Sequence, residues 1–232
     1  MSKILNYFTK GEIILWLCSV IGIVASFLIF DRESYSTLII SIIATTALIF
    51  NAKGNPLGQG LMIIFCVFYG VVSCSVRYYG EMLTYLGMSL PMAVISLISW
   101  LRNPFQKGKA EVKVNYLKRK DYMQLVVLTV LVTVAFYFIL KYFNTANLLV
   151  STVSVATSFS AVFLVAKRCP YYAIGYALND IVLIILWSMV LSENIKYISI
   201  ITCFVVFLVN DTYAFINWSR IKKRQAEFVK SI

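Results

Sequence analysis

Apolar residues in this chain run in long blocks rather than in alternation, and polar residues gather between the blocks. A helix needs about 20 mainly apolar residues to cross the hydrocarbon core of a bilayer. Eight stretches answer to that description: 11–30, 35–51, 58–77, 82–100, 122–143, 146–166, 171–191 and 196–218. The pattern predicts an all-α polytopic membrane protein with eight transmembrane helices. The connecting loops are short, so residues 1–232 read as one membrane domain without a soluble part. The first stretch follows Lys3 and Lys10, as a signal peptide would, but Phe27 to Phe30 offer no small-residue cleavage site. It reads as a mature helix. Pro91 falls inside the fourth stretch, where its ring removes a backbone hydrogen bond and makes 88–92 a candidate kink or hinge.

Composition agrees with this pattern. Only 13% of the 232 residues are charged, against about 25% in soluble domains, and 60% are hydrophobic. Histidine is absent, which removes the usual general base and the commonest metal ligand. The five cysteines form no CxxC pair, so neither a zinc site nor a disulfide framework is expected, and no cofactor or metal is expected. The net charge of +11 suggests nucleic acid at first sight. Its distribution argues otherwise. Of the 21 Lys and Arg residues, 17 lie on the side that holds both ends and the 101–121 loop, and Arg32, Arg77, Lys141 and Lys196 lie on the other. The positive-inside rule therefore puts both termini in the cytoplasm of a multi-pass plasma-membrane protein. The basic 101–121 loop and the basic tail, 219–232, would meet anionic headgroups of the lipid bilayer rather than nucleic acid.

The chain also repeats itself. Ala52-Lys53-x-x-Pro56 recurs as Ala166-Lys167-x-x-Pro170, and Ser99-Trp100-x-Arg102 as Asn217-Trp218-x-Arg220. Helices 2–4 (35–100) thus match helices 6–8 (146–218). Helix 5 (122–143) joins them, and helix 1 (11–30) reads as an addition. Three helices per unit with one crossing between makes the repeats parallel, a 3+1+3 arrangement of the kind transporters use.

Candidate chemistry concentrates in the last two stretches. Each carries Asn-Asp in mid-membrane register: Asn179-Asp180 and Asn210-Asp211. A carboxylate at bilayer depth costs roughly 2.5–3.5 kcal/mol on insertion scales, so such acids face cavities and serve functions. Tyr176, Asp180 and Trp187 share a helical face; Asn210, Tyr213 and Asn217 share another. The matching positions of the first repeat are apolar, but Gln59, Met62, Cys66, Tyr69 and Ser73 line one face of helix 3. Interhelical hydrogen bonding is the competing role for each Asn and Tyr. Taken together, Asn179, Asp180, Tyr176, Trp187, Asn210, Asp211, Tyr213, Asn217, Gln59 and Tyr69 read as a binding site for one small, flat solute.

These residues carry a resemblance. The arrangement is similar to the SWEET architecture. The segment Asn210-Asp211-Thr212-Tyr213-Ala214-Phe215-Ile216-Asn217-Trp218-Ser219-Arg220, with Gly80-Glu81 and Trp100-Leu101-Arg102, resembles the PnuC-type nicotinamide riboside (vitamin B3) transporter family. The Asn-x-x-Tyr motif of that family is present as Asn210 and Tyr213. Its Trp-x-x-Trp/Phe motif falls on Tyr172 and Gly175, and there this chain departs from the pattern. The resemblance implies uptake by facilitated diffusion with intracellular trapping by phosphorylation, and assembly as a trimer. It implies nicotinamide riboside as solute, with thiamine, riboflavin or a deoxynucleoside as alternatives. Asp180 and Asp211 would offset the pyridinium charge, and rings at Tyr176, Trp187 or Tyr213 would stack on it for roughly 0.5–2 kcal/mol. The acids also admit a proton-coupled carrier. A membrane enzyme finds no histidine, phosphate-cradling glycine loop or metal-ligand cluster here, and a sensor without transport is the remaining class.

Overall fold

The computed structural model describes residues 7–75, 79–192 and 194–231, and among them the chain is helical apart from its loops and one isolated bridge, Pro104 to Val112. Eight helices are long and apolar enough to cross a membrane: α1 (Lys10–Phe30), α2 (Tyr35–Ala52), α3 (Leu57–Ser75), α4 (Tyr79–Leu101), α5 (Arg119–Tyr142), α6 (Leu148–Ala166), α7 (Tyr172–Met189) and α8 (Tyr197–Lys230). The expected end of the third stretch, 76–77, lies outside the described residues.

Local chemistry sets several boundaries. Thr9 caps α1 by accepting from the Glu12 N–H at 3.2 Å, and Glu12 accepts the Thr9 N–H at 2.7 Å. This reciprocal pair satisfies two orphan donors of the first turn. In α4 the irregularity expected near Pro91 sits slightly earlier, as a π-helical turn over Thr84–Ser89 in which the Leu90 N–H reaches back to Tyr85 O. The proline ring would press on the carbonyl of Gly87, and the widened turn absorbs that strain. The bulge brings Leu86 against α3 at Gly70, where an added Cβ would lie 2.4 Å from Leu86 Cγ. Only glycine admits this approach.

The tail is a further difference. Hydrophobicity ends the last segment at 218 and leaves 219–232 as a basic tail, but α8 continues without a break to Lys230. Its extra turns are held by polar contacts that a hydrophobic count cannot see. Gln225 Oε1 accepts the Val114 N–H at 2.9 Å, and its Nε2 donates to Val112 O at 3.0 Å. The 102–118 segment is thereby fastened to α8.

One turn is built twice. After α2, Gly54 adopts φ +63° and the Asn55 N–H closes on Phe50 O at 3.0 Å; after α6, Arg168 adopts φ 56° and the Cys169 N–H closes on Leu164 O at 3.0 Å. Both are left-handed C-terminal closures of the Schellman type. The 102–118 segment ties to each of them, Val112 N–H to Gly54 O at 2.9 Å and Asn115 N–H to Arg168 O at 3.1 Å. Each turn also follows a lysine that pairs with an acid in the first turn of another helix: Lys53 with Glu12 of α1 at 2.9 Å, and Lys167 with Asp121 of α5 at 2.7 Å.

Helix packing places the core at the end of the bundle that holds the termini. There α8 packs on α1, α2 and α7, while α6 packs on α4, α5 and α7. Trp100 and Trp218, both essentially inaccessible, meet Tyr172, Val165 and Ala52 in one cluster. Each indole N–H crosses to another helix end, Trp100 to Val165 O at 2.9 Å and Trp218 to Asn51 O at 2.8 Å. Their neighbours repeat the crossing, Ser99 Oγ to Ala166 O at 2.8 Å and Asn217 Nδ2 to Ala52 O at 2.9 Å. In lipid, where apolar burial between helices gains little, such polar contacts and close packing hold the bundle together.

Candidate functional site

Directly above the tryptophan pair lies a central cavity of about 80 Å³. Asn51 and Val165, whose carbonyls receive the two indoles, both line it. The remaining wall comes from α2, α3, α4, α6, α7 and α8, and includes Gln59, Tyr85, Ser158, Tyr176, Asn179, Asp180 and Asp211.

The acids are the most demanding feature. Asp180 and Asp211 are 4% and 2% exposed, and their carboxyl groups lie within reach of each other across the α7–α8 contact. Asp180 Oδ2 and Asp211 Oδ1 find no hydrogen-bond donor, and neither residue forms an ion pair among the described residues. Two carboxyls buried side by side, each with an unbonded oxygen, cost stability unless something enters to satisfy them. Among the described residues, no Lys or Arg lines the cavity.

The amides are prepared for hydrogen bonding. Asn179 Oδ1 accepts from Thr157 Oγ1 at 2.9 Å and Ser154 Oγ at 3.2 Å, which fixes the plane of its side chain. Gln59 Nε2 donates to Asn51 Oδ1 at 2.8 Å, and both residues are buried. Their helices approach at Gly58, where a Cβ would lie 2.2 Å from Asn51 Oδ1. The cavity thus offers two carboxyls, three amides and the Tyr176 ring to a small polar, flat or cationic guest. Pockets that enclose a small ligand usually hold roughly 300 Å³ or more, so the surrounding helices must part to admit one.

Of the ten residues expected at the site, the structure brings together Gln59, Tyr176, Asn179, Asp180 and Asp211. The other five face elsewhere. Asn210 Nδ2 donates to Ser19 Oγ of α1 at 2.9 Å and to Val206 O at 2.8 Å. The Tyr213 hydroxyl donates to Glu12 at 2.8 Å, and Asn217 holds Ala52 O. These three share a helical face, as expected, but that face packs on α1 and α2. On α8 the cavity is lined by Phe204, Phe207 and Asp211, one step of about 100° round the helix. The Trp187 ring meets that of Tyr197 at a tilt, with centroids 5.1 Å apart, and Tyr69 donates to Glu81 at 3.1 Å; both line cavities nearer the end opposite the termini. Asn51, Tyr85 and Ser158 were not singled out by sequence. For Asn51 the signal was a lone amide closing an apolar run.

The structure also accounts for Tyr172-x-x-Gly175. Tyr172 is buried edge-on against Trp218, with ring centroids 5.2 Å apart. A Cβ at Gly175 would sit 3.0 Å from Ala161 Cα, so α6 and α7 touch there and a larger side chain has no room.

Comparison with known proteins gives concordant results. A family model described as nicotinamide mononucleotide transporter matches residues 34–220. A Neisseria mucosa protein named nicotinamide riboside transporter PnuC is 24% identical over 216 residues, covering 91% of this chain and 82% of the relative. The crystal structure of the vitamin B3 transporter PnuC superposes with a TM-score of 0.79 at 22% identity, covering 94% of each chain.

Proposed function

The chain belongs to the nicotinamide mononucleotide transporter family, and on that premise we propose that it carries nicotinamide riboside across the plasma membrane. It is a multi-pass membrane transporter and not an enzyme. The observation that carries the proposal is the Asp180–Asp211 pair, buried in the central cavity with one oxygen of each carboxyl unbonded and no ion pair among the described residues. The pyridinium of nicotinamide riboside supplies the missing positive charge. Asn179, Asn51 and Gln59 suit its carboxamide and ribose hydroxyls, and Tyr176 suits its ring.

The same pair supports the riboside over the mononucleotide. A phosphate monoester brings about −1.5 to −2 charges at neutral pH, and here it would meet two acids and, among the described residues, no basic side chain. Thiamine also passes this charge criterion, whereas riboflavin and deoxynucleosides, being neutral, do not use it. Uptake is by facilitated diffusion, with phosphorylation inside the cell preventing return. Both termini face the cytoplasm, as the basic-residue count implies.

The two halves act as parallel repeats that rock about the tryptophan pair. The reciprocal bonds of Trp100 and Trp218, and the turn built twice, support this reading. The Lys53–Glu12 and Lys167–Asp121 pairs support a correspondence between α1 and the linking helix α5. Trimeric assembly is tested by the mass of the detergent-solubilised protein.

Counterflow of labelled nicotinamide riboside into preloaded proteoliposomes tests the proposal. Accumulation that is competed by unlabelled riboside but not by the mononucleotide is the expected result. Absence of counterflow, or equal competition by both, contradicts it.

A further inference from the structure

Between the end of the bundle opposite the termini and the acid pair, three cavities stand in line. The outermost, about 330 Å³, is lined by Glu81, Asn144, Thr145, Asn147, Ser151 and Tyr197, among others. Next comes a neck of about 60 Å³ carrying Glu81, Thr84, Ser154, Ser158 and Asn179. Glu81 and Ser151 belong to both of these cavities, and Tyr85, Ser158 and Asn179 belong to both the neck and the centre. The series runs between α4, α6 and α7.

A second approach to the centre runs from another cavity, between α1, α2, α3 and α8. It meets the centre at Phe65, Tyr85, Phe204 and Phe207. That junction is almost wholly aromatic, whereas the α4–α6–α7 neck presents hydroxyls, an amide and a carboxyl. A hydrated polar solute loses fewer hydrogen bonds in the neck.

Glu81 is the acid, among the described residues, that lines both the outer cavity and the neck where the two overlap. It is partly buried, and the Tyr69 hydroxyl donates to its Oε2 at 3.1 Å, which holds the carboxyl in place from α3. An acid held at a narrow mouth with low-dielectric walls concentrates cations and repels anions. We propose that Glu81 is the cation-selecting residue of the solute's entry path. A cationic solute meets it first, then passes Ser154 and Ser158 to Asp180 and Asp211. The proposal rests on the reading of the central cavity as the solute site, but not on which cation is carried.

Thiol labelling tests it independently of substrate identity. Cys18 and Cys74 are exposed and are replaced by Ser; Cys66, Cys169 and Cys203 are buried. In that background Ser154→Cys or Ser151→Cys is reacted, in nanodiscs, with a trimethylammonium or a sulfonate methanethiosulfonate reagent. The cationic reagent is expected to react at least about tenfold faster, and Glu81→Gln to remove most of that preference while Glu81→Asp retains it. A preference that Glu81→Gln leaves intact, or two cysteines that neither reagent reaches, overturns the proposal. If labelling depends on Glu81 while nicotinamide riboside fails to bind, the entry path stands and the assigned solute falls.

Discussion

The rings of Trp100 and Trp218 meet at 5.5 Å between centroids, and each indole N–H reaches the carbonyl that ends a helix beside the cavity, Val165 O and Asn51 O. The pair joins the end of α4 and the middle of α8 to the ends of α6 and α2. Because Asn51 and Val165 line the cavity, any change in the tryptophan contact moves its floor.

Removing either indole donor takes one of two hydrogen bonds from a buried carbonyl, since Val165 O also accepts the Arg168 N–H at 2.8 Å and Asn51 O the Gly54 N–H at 2.9 Å. Trp218→Phe and Trp100→Phe should each cost about 0.5–1.5 kcal/mol for the lost hydrogen bond. Thermal unfolding of the purified protein in detergent reads this directly. Similar losses at both sites agree with the equivalence of the halves, and a loss at only one argues against it.

Deleting residues 1–30 should destabilise the protein, although the sequence repeat alone made α1 look dispensable. Glu12 holds Lys53, Tyr213 and the Thr9 N–H, Ser19 holds Asn210, and Ser26 donates to Thr202. Glu12→Ala strands Lys53, which is 16% exposed, and the Tyr213 hydroxyl. A fall in midpoint temperature and in yield of folded protein is expected. Unchanged melting of the truncated chain would show that these contacts contribute nothing.

Restoring the aromatic of the family motif at Gly175 should fail. Gly175→Phe drives a ring into Ala161, and overpacking of this kind typically costs about 1–3 kcal/mol or more. Gly175→Ala should show the same direction with a smaller size. Melting temperature against wild type is the measurement, and a stabilised Gly175→Phe would contradict the close α6–α7 approach.

Tyr213→Phe separates two roles for the last helix. The hydroxyl serves Glu12 and not the cavity, so the variant should lose stability but keep its affinity for solute. Isothermal binding beside a melting curve distinguishes the two. Lost affinity at unchanged stability would return Tyr213 to the site.

Much of this was legible in the sequence because a bilayer imposes a length and a cost. Eight apolar blocks of sufficient length became eight spanning helices, and two carboxyls at mid-membrane depth became the centre of the cavity. Rotation was not legible. Asn210 and Asp211 are adjacent in sequence yet face different neighbours, and only packing decides which of them sees the cavity. The extension of α8 to Lys230 escaped because its anchor is Gln225, a polar residue beyond the apolar block. The hydroxyls of the neck escaped because Ser and Thr are common in membrane helices, where several bond their own backbone, as Thr152 does with Leu148 O.

The central claim is that Asp180 and Asp211 await a cation. Binding of nicotinamide riboside and of its reduced, uncharged form to the purified protein tests it most directly. The account predicts at least about tenfold tighter binding of the cation, a difference of about 1.4 kcal/mol, and a smaller gap in Asp180→Asn or Asp211→Asn. Equal affinity for the two forms in the wild-type protein would contradict it.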